Sequence, residues 1–233
     1  MAPKILVVLT SHNKLGNLDK PTGWYLPELA HPYHILRNKA DITVASPKGG
    51  EAPLDPASIE AAKDDVSVNF LKNDEQVWKN TQKLETFVGK AKDFDAIFYV
   101  GGHGPMFDLA DNPTSQQLIR EFWEAGKIVA AVCHAPAVLY NVKLSDGSLL
   151  VAGKEVTAFT NAEEEQMGLS KAVPFLPEDA LQKASGGRFV KAAELWGEKV
   201  VVQGRLITGQ NPASATGVGK AIAKALGIDS GSS

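Results

Sequence analysis

A doubly wound α/β protein, with a mostly parallel sheet and helices on both faces, is the fold class this sequence predicts. Three observations carry it. Runs of strand length recur at residues 4–9, 42–46, 94–100 and 128–132, and the unbroken apolar run 128–132 is what a strand buried on both faces requires. Segments with helical signals lie between them, in the order β-α-β-x-β-α-β-α. The apolar runs give way to loops rich in Gly, Ser, Asn or Pro, at the carboxyl edge where open α/β sheets place their sites.

Taken in order, the first strand feeds a loop over residues 10–21. Thr22-Gly23 then opens a helix carrying Trp24, Leu26, Leu29, Ala30, Ile35 and Leu36, with Pro27 in its first turns, where a missing N–H is tolerated. The strand at 42–46 completes a β-α-β unit, which takes a right-handed crossover. Residues 47–92 break the rhythm with Pro, Gly and many charges and read as an insertion capping the sheet, with an amphipathic helix over 74–88. The strand at 94–100 runs into Gly101-Gly102-His103-Gly104. Asn112-Pro113 starts a clean helix that Gly126 closes. After the strand at 128–132, the sequence predicts a strand at 155–159 and a helix from Thr160 with an acidic first turn. A helix follows at 177–185, then strands at 189–191 and 200–208, the latter folded at Gly204 as a hairpin, and a last helix over 213–226. The tail 229–233 has no core residues and is expected to be mobile. The expectation is one domain over 1–233.

The composition is that of a globular chain: 233 residues, 44% hydrophobic, 22% charged, net charge -3. With a pI near 6.0 there is no basic footprint, so nucleic acid is not an expected partner. No apolar run approaches the ~20 residues of a membrane span, and the N-terminus carries no long apolar stretch of a secretion signal. One cysteine permits no intrachain disulfide and agrees with a reducing, cytoplasmic setting.

The chemistry centres on that cysteine. Cys133 follows a buried strand, and Ala131 and Ala135 on either side are small, as a tight strand-to-helix turn needs if it is to present the middle side chain as a nucleophile. A helix N-terminus there would favour the thiolate and offer free N–H groups to an oxyanion. The alternative is a buried structural cysteine. His134 adjoins it, and contact between the two requires that the turn fold the ring back. His103 lies in a glycine loop that either supplies N–H groups to the site or is a plain tight turn. One of Glu163, Glu164 and Glu165 is a candidate to orient a histidine, the others being solvated charges at a helix start; Glu28 is the other acid of interest, because its helix begins in the loop after the first strand, although its residue type is ordinarily an exposed surface Glu. His31 and His34 share a helix face, but no second cysteine or carboxylate completes a ligand set, so no metal is expected. All five histidines lie at or before position 134, so the downstream His-Glu pair of a glutamine amidotransferase cannot be assembled. No Gly-x-Gly-x-x-Gly follows the first strand to bind a dinucleotide.

These residues resemble a known family. Ala131-Val132-Cys133-His134-Ala135-Pro136, Gly101-Gly102-His103-Gly104, Thr22-Gly23 with Glu28 and His31-Pro32, Phe159-Thr160 with Glu163-Glu164, and Leu206 to Ser214 are together similar to the PfpI/Parkinsonism-associated deglycase superfamily. The likeness is greatest to its microbial stress-response branch of glutathione-independent glyoxalases (glyoxalase III), also called D-lactate dehydratases. It runs along nearly the whole chain, insertion included; Ala135 stands where a Gly often follows Cys-His. The resemblance implies a flavodoxin-like fold, a homodimer, a cytoplasmic or also nuclear location, and conversion of methylglyoxal, a 2-oxoaldehyde, to lactate with no cofactor or metal. It makes Cys133 the nucleophile, His134 the proton carrier, Glu164 the third member of a triad, and Glu28 an acid beside the sulfur, with Gly102 and His103 facing the substrate oxyanion. It also implies an alternative: a holding chaperone or protein deglycase acting on unfolded or glycated client proteins, or a redox-sensing cysteine.

Overall fold

The computed structural model describes residues 1–229; the expected mobile tail lies, but for Asp229, outside them. Among the described residues, a seven-stranded sheet has the order β3-β2-β1-β4-β5-β7-β6, formed by β1 (Lys4–Val8), β2 (Asp41–Ser46), β3 (Gln82–Lys83), β4 (Ala96–Tyr99), β5 (Ile128–Val132), β6 (Val200–Gln203) and β7 (Leu206–Gly209). Every pairing is parallel except the β6-β7 hairpin. The chain builds outward from β1 in one direction through β2 and in the other through β4 and β5, so the crevice where strand order reverses opens at the carboxyl ends of β1 and β4.

The two-sided burial follows from period-2 alternation. Ile5 and Val7 enter one core cluster while Leu6 and Val8 enter the other. The first face is covered by α1 (Leu26–Leu36) and α9 (Ala215–Ala225), through Leu29, Val218 and Ile222. The second is covered by α6 (Pro113–Glu124), a 3₁₀ turn at Ala135–Leu139, and α8 (Pro177–Ala184), through Leu118, Phe122, Val138 and Leu181. Asn112 caps α6 as expected, its side-chain oxygen accepting from the amides of Thr114 and Ser115.

Three expectations are revised. The helix over residues 74–88 does not form: the insertion folds as α2 (Pro56–Ala61), α3 (Asp65–Asn73), α4 (Gln76–Lys79), β3 and a 3₁₀ turn at Leu84–Phe87. Asp64 caps α3 by accepting from the Ser67 amide, and Phe70 and Trp78 pack on the buried Trp24 with ring centroids 6.4 and 5.7 Å away. Tertiary burial of aromatics, rather than helical period, sets these boundaries. The first helix starts at Leu26 rather than Thr22, because Trp24 is bridged in extended form to Leu54. Residues 155–159 and 189–191 are not strands and share only the single bridge Val156–Phe189. The 155–159 segment instead crosses the end of the sheet, the Thr157 amide donating to Thr208 Oγ1 (3.1 Å) and the Phe159 amide to the Cys133 carbonyl (2.8 Å). That crossing carries α7 (Asn161–Gln166) over the cysteine. The remaining helix, α5 (Pro105–Asp108), follows the glycine loop after β4.

Candidate active site

Cys133 follows the last residue of β5 with φ 65°, a left-handed conformation that residues with a Cβ adopt rarely and that marks functional turns. Its amide donates to the Gly209 carbonyl (2.8 Å), which extends the sheet register by one residue and fixes the elbow. The chain behind it is a 3₁₀ turn rather than an α-helix, so the helix dipole expected to favour a thiolate is small. Gly101, at the end of β4, lets the two strands close on each other: a Cβ there would lie 2.1 Å from Glu28 Oε1 and 2.8 Å from the Cys133 Cβ.

The turn does fold the His134 ring back. Its Nδ1 lies 3.6 Å from Cys133 Sγ and its Nε2 2.5 Å from Glu164 Oε2. The carboxylate oxygen requires the proton on Nε2, which leaves the Nδ1 lone pair facing the thiol. The other oxygen of Glu164 accepts from His103 Nε2 at 2.7 Å. His103 was expected to act through its loop; its side chain is instead a second partner of the carboxylate, and the amides of Gly102 and His103 are what the loop offers to a ligand. Among the described residues, the Gly102, His103 and His134 amides donate to no protein acceptor. The register of the acidic run is resolved by burial. Glu163 and Glu164 are buried and Glu165 is exposed, but Glu163 is no solvated charge, since it accepts hydrogen bonds inside the fold.

Electrostatics assign states to these groups. Burial, then the neighbouring His103, push His134 below the ordinary histidine value despite the attraction of Glu164, so at neutral pH the ring is uncharged and able to accept a proton. Burial alone would raise Glu164; the charge on His134 when protonated and the two histidine hydrogen bonds bring it down to about 2. Glu28 is fully buried, and burial pushes its carboxyl well above the usual range, with the Cys133 thiol and the Gly101 amide only partly offsetting this. Neither of its oxygens makes a hydrogen bond of standard geometry. Burial also pushes the Cys133 thiol up, and negative charge on Glu28, Glu163 and Glu164 adds to the rise. The elbow was expected to favour a low-pKa thiolate; the surroundings of the sulfur favour the thiol instead. Both shifts favour the protonated forms, so Cys133 and Glu28 titrate as a coupled pair in which charge on the carboxylate opposes the thiolate.

His103, His134 and Glu164 are also the one grouping of metal-ligating atoms among the described residues, all within 4.8 Å. Their N···O separations of 2.5 and 2.7 Å are hydrogen bonds, shorter than the ~3.3 Å between neighbouring ligands around a tetrahedral zinc at ~2.0–2.1 Å. His31 is engaged elsewhere, 2.9 Å from Asp64 Oδ2. The site opens into a cavity of about 300 Å³ lined in part by Tyr25, Gly102, Cys133, Phe159 and Trp196. Tyr25 and Trp196 were not singled out from the sequence; neither belongs to a motif of chemical residues. Burial, then Glu28, Cys133 and Asp55, raise the Tyr25 phenol to about 12, so it is a hydrogen-bond donor at neutral pH.

A cysteine on a strained elbow at the carboxyl edge of a doubly wound sheet, with a histidine and a buried glutamate in line, is the arrangement a cysteine nucleophile would need. The chain belongs to the DJ-1/PfpI family, whose sequence profile matches residues 26–225. It is 29% identical to Glyoxalase 3 of Candida albicans, over 91% of this chain and 93% of that protein. It is 31% identical to the glutathione-independent glyoxalase HSP31 of Saccharomyces cerevisiae, over 92% and 94%. Among solved structures, Rapid Encystment Protein 24 kDa of Francisella tularensis superposes with a TM-score of 0.89 at 38% identity, covering 96% of this chain and 99% of that one. The crystal structure of Candida albicans glyoxalase III gives 0.86 at 28% identity, covering 96% and 97%. The fold is thus the flavodoxin-like one expected. Among the described residues, no helix is long and apolar enough to cross a membrane.

Proposed function

We propose that this protein is a glutathione-independent glyoxalase that converts methylglyoxal to lactate, in the reaction class of a D-lactate dehydratase, a lyase. The observation that carries the reading is the line Cys133 Sγ, His134 Nδ1, His134 Nε2, Glu164 Oε2, with separations of 3.6 and 2.5 Å. It joins a nucleophile to a neutral base and the base to an acid that holds its tautomer. The names of relatives at about 30% identity over nine-tenths of the chain support it.

The sulfur attacks the aldehyde carbon (C1) and its proton passes to His134 Nδ1, giving a hemithioacetal. The forming oxyanion is met by the free amides of Gly102, His103 and His134. A base removes the proton from C1, the electron pair forms an enediolate, and a proton returns to C2. C1 is thereby oxidised to a thioester as C2 is reduced to an alcohol, so no external oxidant or reductant takes part. Water then cleaves the C–S bond, releasing lactate and restoring the thiol. Glu164, anionic down to about pH 2, stabilises the imidazolium formed in the first step. Glu28, protonated, donates toward the sulfur without adding charge beside it.

A homodimer and a cytoplasmic or nuclear location belong to the same proposal. The test is purified protein incubated with methylglyoxal alone. Lactate should form without glutathione and should cease in Cys133→Ala. Retention of the cellular function by Cys133→Ala would favour the holding-chaperone reading instead.

A further inference from the structure

Two features outside the Cys133-His134-Glu164 line converge on one loop. Glu163 is fully buried, yet among the described residues no Lys, Arg or His is paired with it; it is satisfied by five hydrogen bonds. Oε1 accepts from the Thr160 amide (3.0 Å), the Thr160 hydroxyl (2.8 Å) and Gln210 Nε2 (3.0 Å). Oε2 accepts from Asn211 Nδ2 (2.9 Å) and the Trp196 amide (3.2 Å). The second feature is Trp196 itself, at φ 64°, a backbone state that persists in a bulky residue only where its surroundings over-determine it. They do so here. Asn211 Nδ2 also donates to the Gly197 carbonyl (2.7 Å), Gln210 Oε1 accepts from the Ala192 amide (2.8 Å), and the Trp196 indole N–H donates to Gln166. The Gln210-Asn211 motif after β7 thus serves to bolt this loop to Glu163, one residue from Glu164.

What the bolted loop presents is an aromatic surface. The Trp196 ring stands edge-on to Phe159, centroids 5.4 Å apart, and Phe159 lies 4.3 Å from the His134 ring. With Leu15, Pro21, Met167 and Leu169 these rings line the cavity that holds the sulfur with apolar surface. Methylglyoxal has three carbons and two oxygens. A cavity of about 300 Å³ is at the size that holds drug-sized ligands, so a methyl group leaves most of the wall uncovered.

We propose that this wall takes an apolar or aromatic substituent carried on the dicarbonyl, with Trp196 as the specificity-determining residue and Glu163 as its positioning residue. The proposal rests on the glyoxalase reading for the reaction, but the wall can be probed without it. In the first experiment kcat/KM is measured for phenylglyoxal and methylglyoxal. The phenylglyoxal-to-methylglyoxal ratio should exceed one in the wild type, fall about tenfold in Trp196→Ala, and stay within about threefold of wild type in Trp196→Phe. It should fall in Glu163→Gln as well, a change of preference that simple loss of folded protein cannot produce. A ratio unchanged in Trp196→Ala, or equal losses on both substrates, overturns the proposal. In the second experiment Cys133, the only cysteine, is alkylated by phenacyl bromide and by bromoacetone, each rate normalised to that of free mercaptoethanol. The normalised ratio should favour phenacyl bromide and lose that preference in Trp196→Ala. If wild type forms no hydroxy acid from either dicarbonyl, the glyoxalase reading fails alone and the alkylation ratio decides the wall. Failure of both reagents to reach Cys133 would overturn the wall too.

Discussion

Replacing Glu163 by Gln removes one negative charge and adds two hydrogens, and the structure sets the cost. In the wild type every group facing the carboxylate is a donor: three on Oε1 and two on Oε2. The amide nitrogen of the substituted side chain must therefore turn toward donors whichever way it flips. Its better orientation keeps the oxygen toward Thr160 and Gln210 and leaves the Asn211 side chain and the Trp196 amide without an acceptor at that site. A buried donor deprived of its partner costs ~1–3 kcal/mol, so the variant should be less stable by roughly 2–6 kcal/mol. In a chain of this length each kcal/mol moves Tm by ~2–4 °C, which puts the drop on the order of 4–24 °C. Thermal and urea unfolding followed by circular dichroism read it directly. Glu165→Gln, an exposed residue whose carboxylate, among the described residues, accepts only from the Ser170 hydroxyl, is the internal control and should stay within about 0.5 kcal/mol. A Glu163→Gln Tm within about 2 °C of wild type would refute the buried hydrogen-bond hub and return Glu163 to a solvated helix start.

Substitutions at three further positions have expected outcomes. Glu164→Gln should lower kcat about 10²-fold or more, since positioned proton transfer contributes ~10²–10⁴-fold; Glu164 raises the His134 pKa, so the acid limb of residual kcat/KM should move to lower pH, and a shift upward would contradict the assignment. A carboxyl held at about 2 against an ordinary 4.5 stabilises the fold above pH ~4.5 and loses that contribution as pH falls toward 2, so the stability gap between wild type and Glu164→Gln should narrow over that range in pH-dependent urea melts. Glu28→Gln should retain more activity than Glu28→Ala, because the amide still donates toward the sulfur. Negative charge on Glu28 raises the Cys133 thiol, so thiolate absorbance in Glu28→Gln should appear at lower pH than in the wild type; an unchanged titration would show that the two groups are not coupled. Gly101→Ala should fail to accumulate as folded protein, since the added methyl would lie 2.5 Å from the Val132 carbonyl oxygen as well as 2.1 Å from Glu28; a soluble, active variant would contradict the close approach of β4 and β5.

The sequence by itself determined the layered architecture and the place of the chemistry. Unbroken apolar runs at 5–9 and 128–132, too short for buried helices, fit strands buried on both faces, and small residues around Cys133 are needed wherever a strand turns so tightly. Both are local demands, readable from neighbouring residues. The cap of α6 at Asn112 and the hairpin at Gly204 were legible for the same reason. What only the tertiary structure decided depends on groups distant in sequence. His103 and His134 meet on Glu164 because the segment after residue 155 crosses the end of the sheet instead of joining it, and no period or composition in 155–159 distinguishes those two paths. Glu163, Glu164 and Glu165 are chemically identical and adjacent; a helix turn sends two inward and one to solvent, and the inward pair acquires partners from residues 103, 134, 196, 210 and 211. The protonation of Cys133 follows the same rule. Its elbow is written in the residues beside it, but its acidity is set by burial and by Glu28, which lies 105 residues earlier in the chain, because electrostatic energy depends on distance through the folded interior and on the water excluded from it.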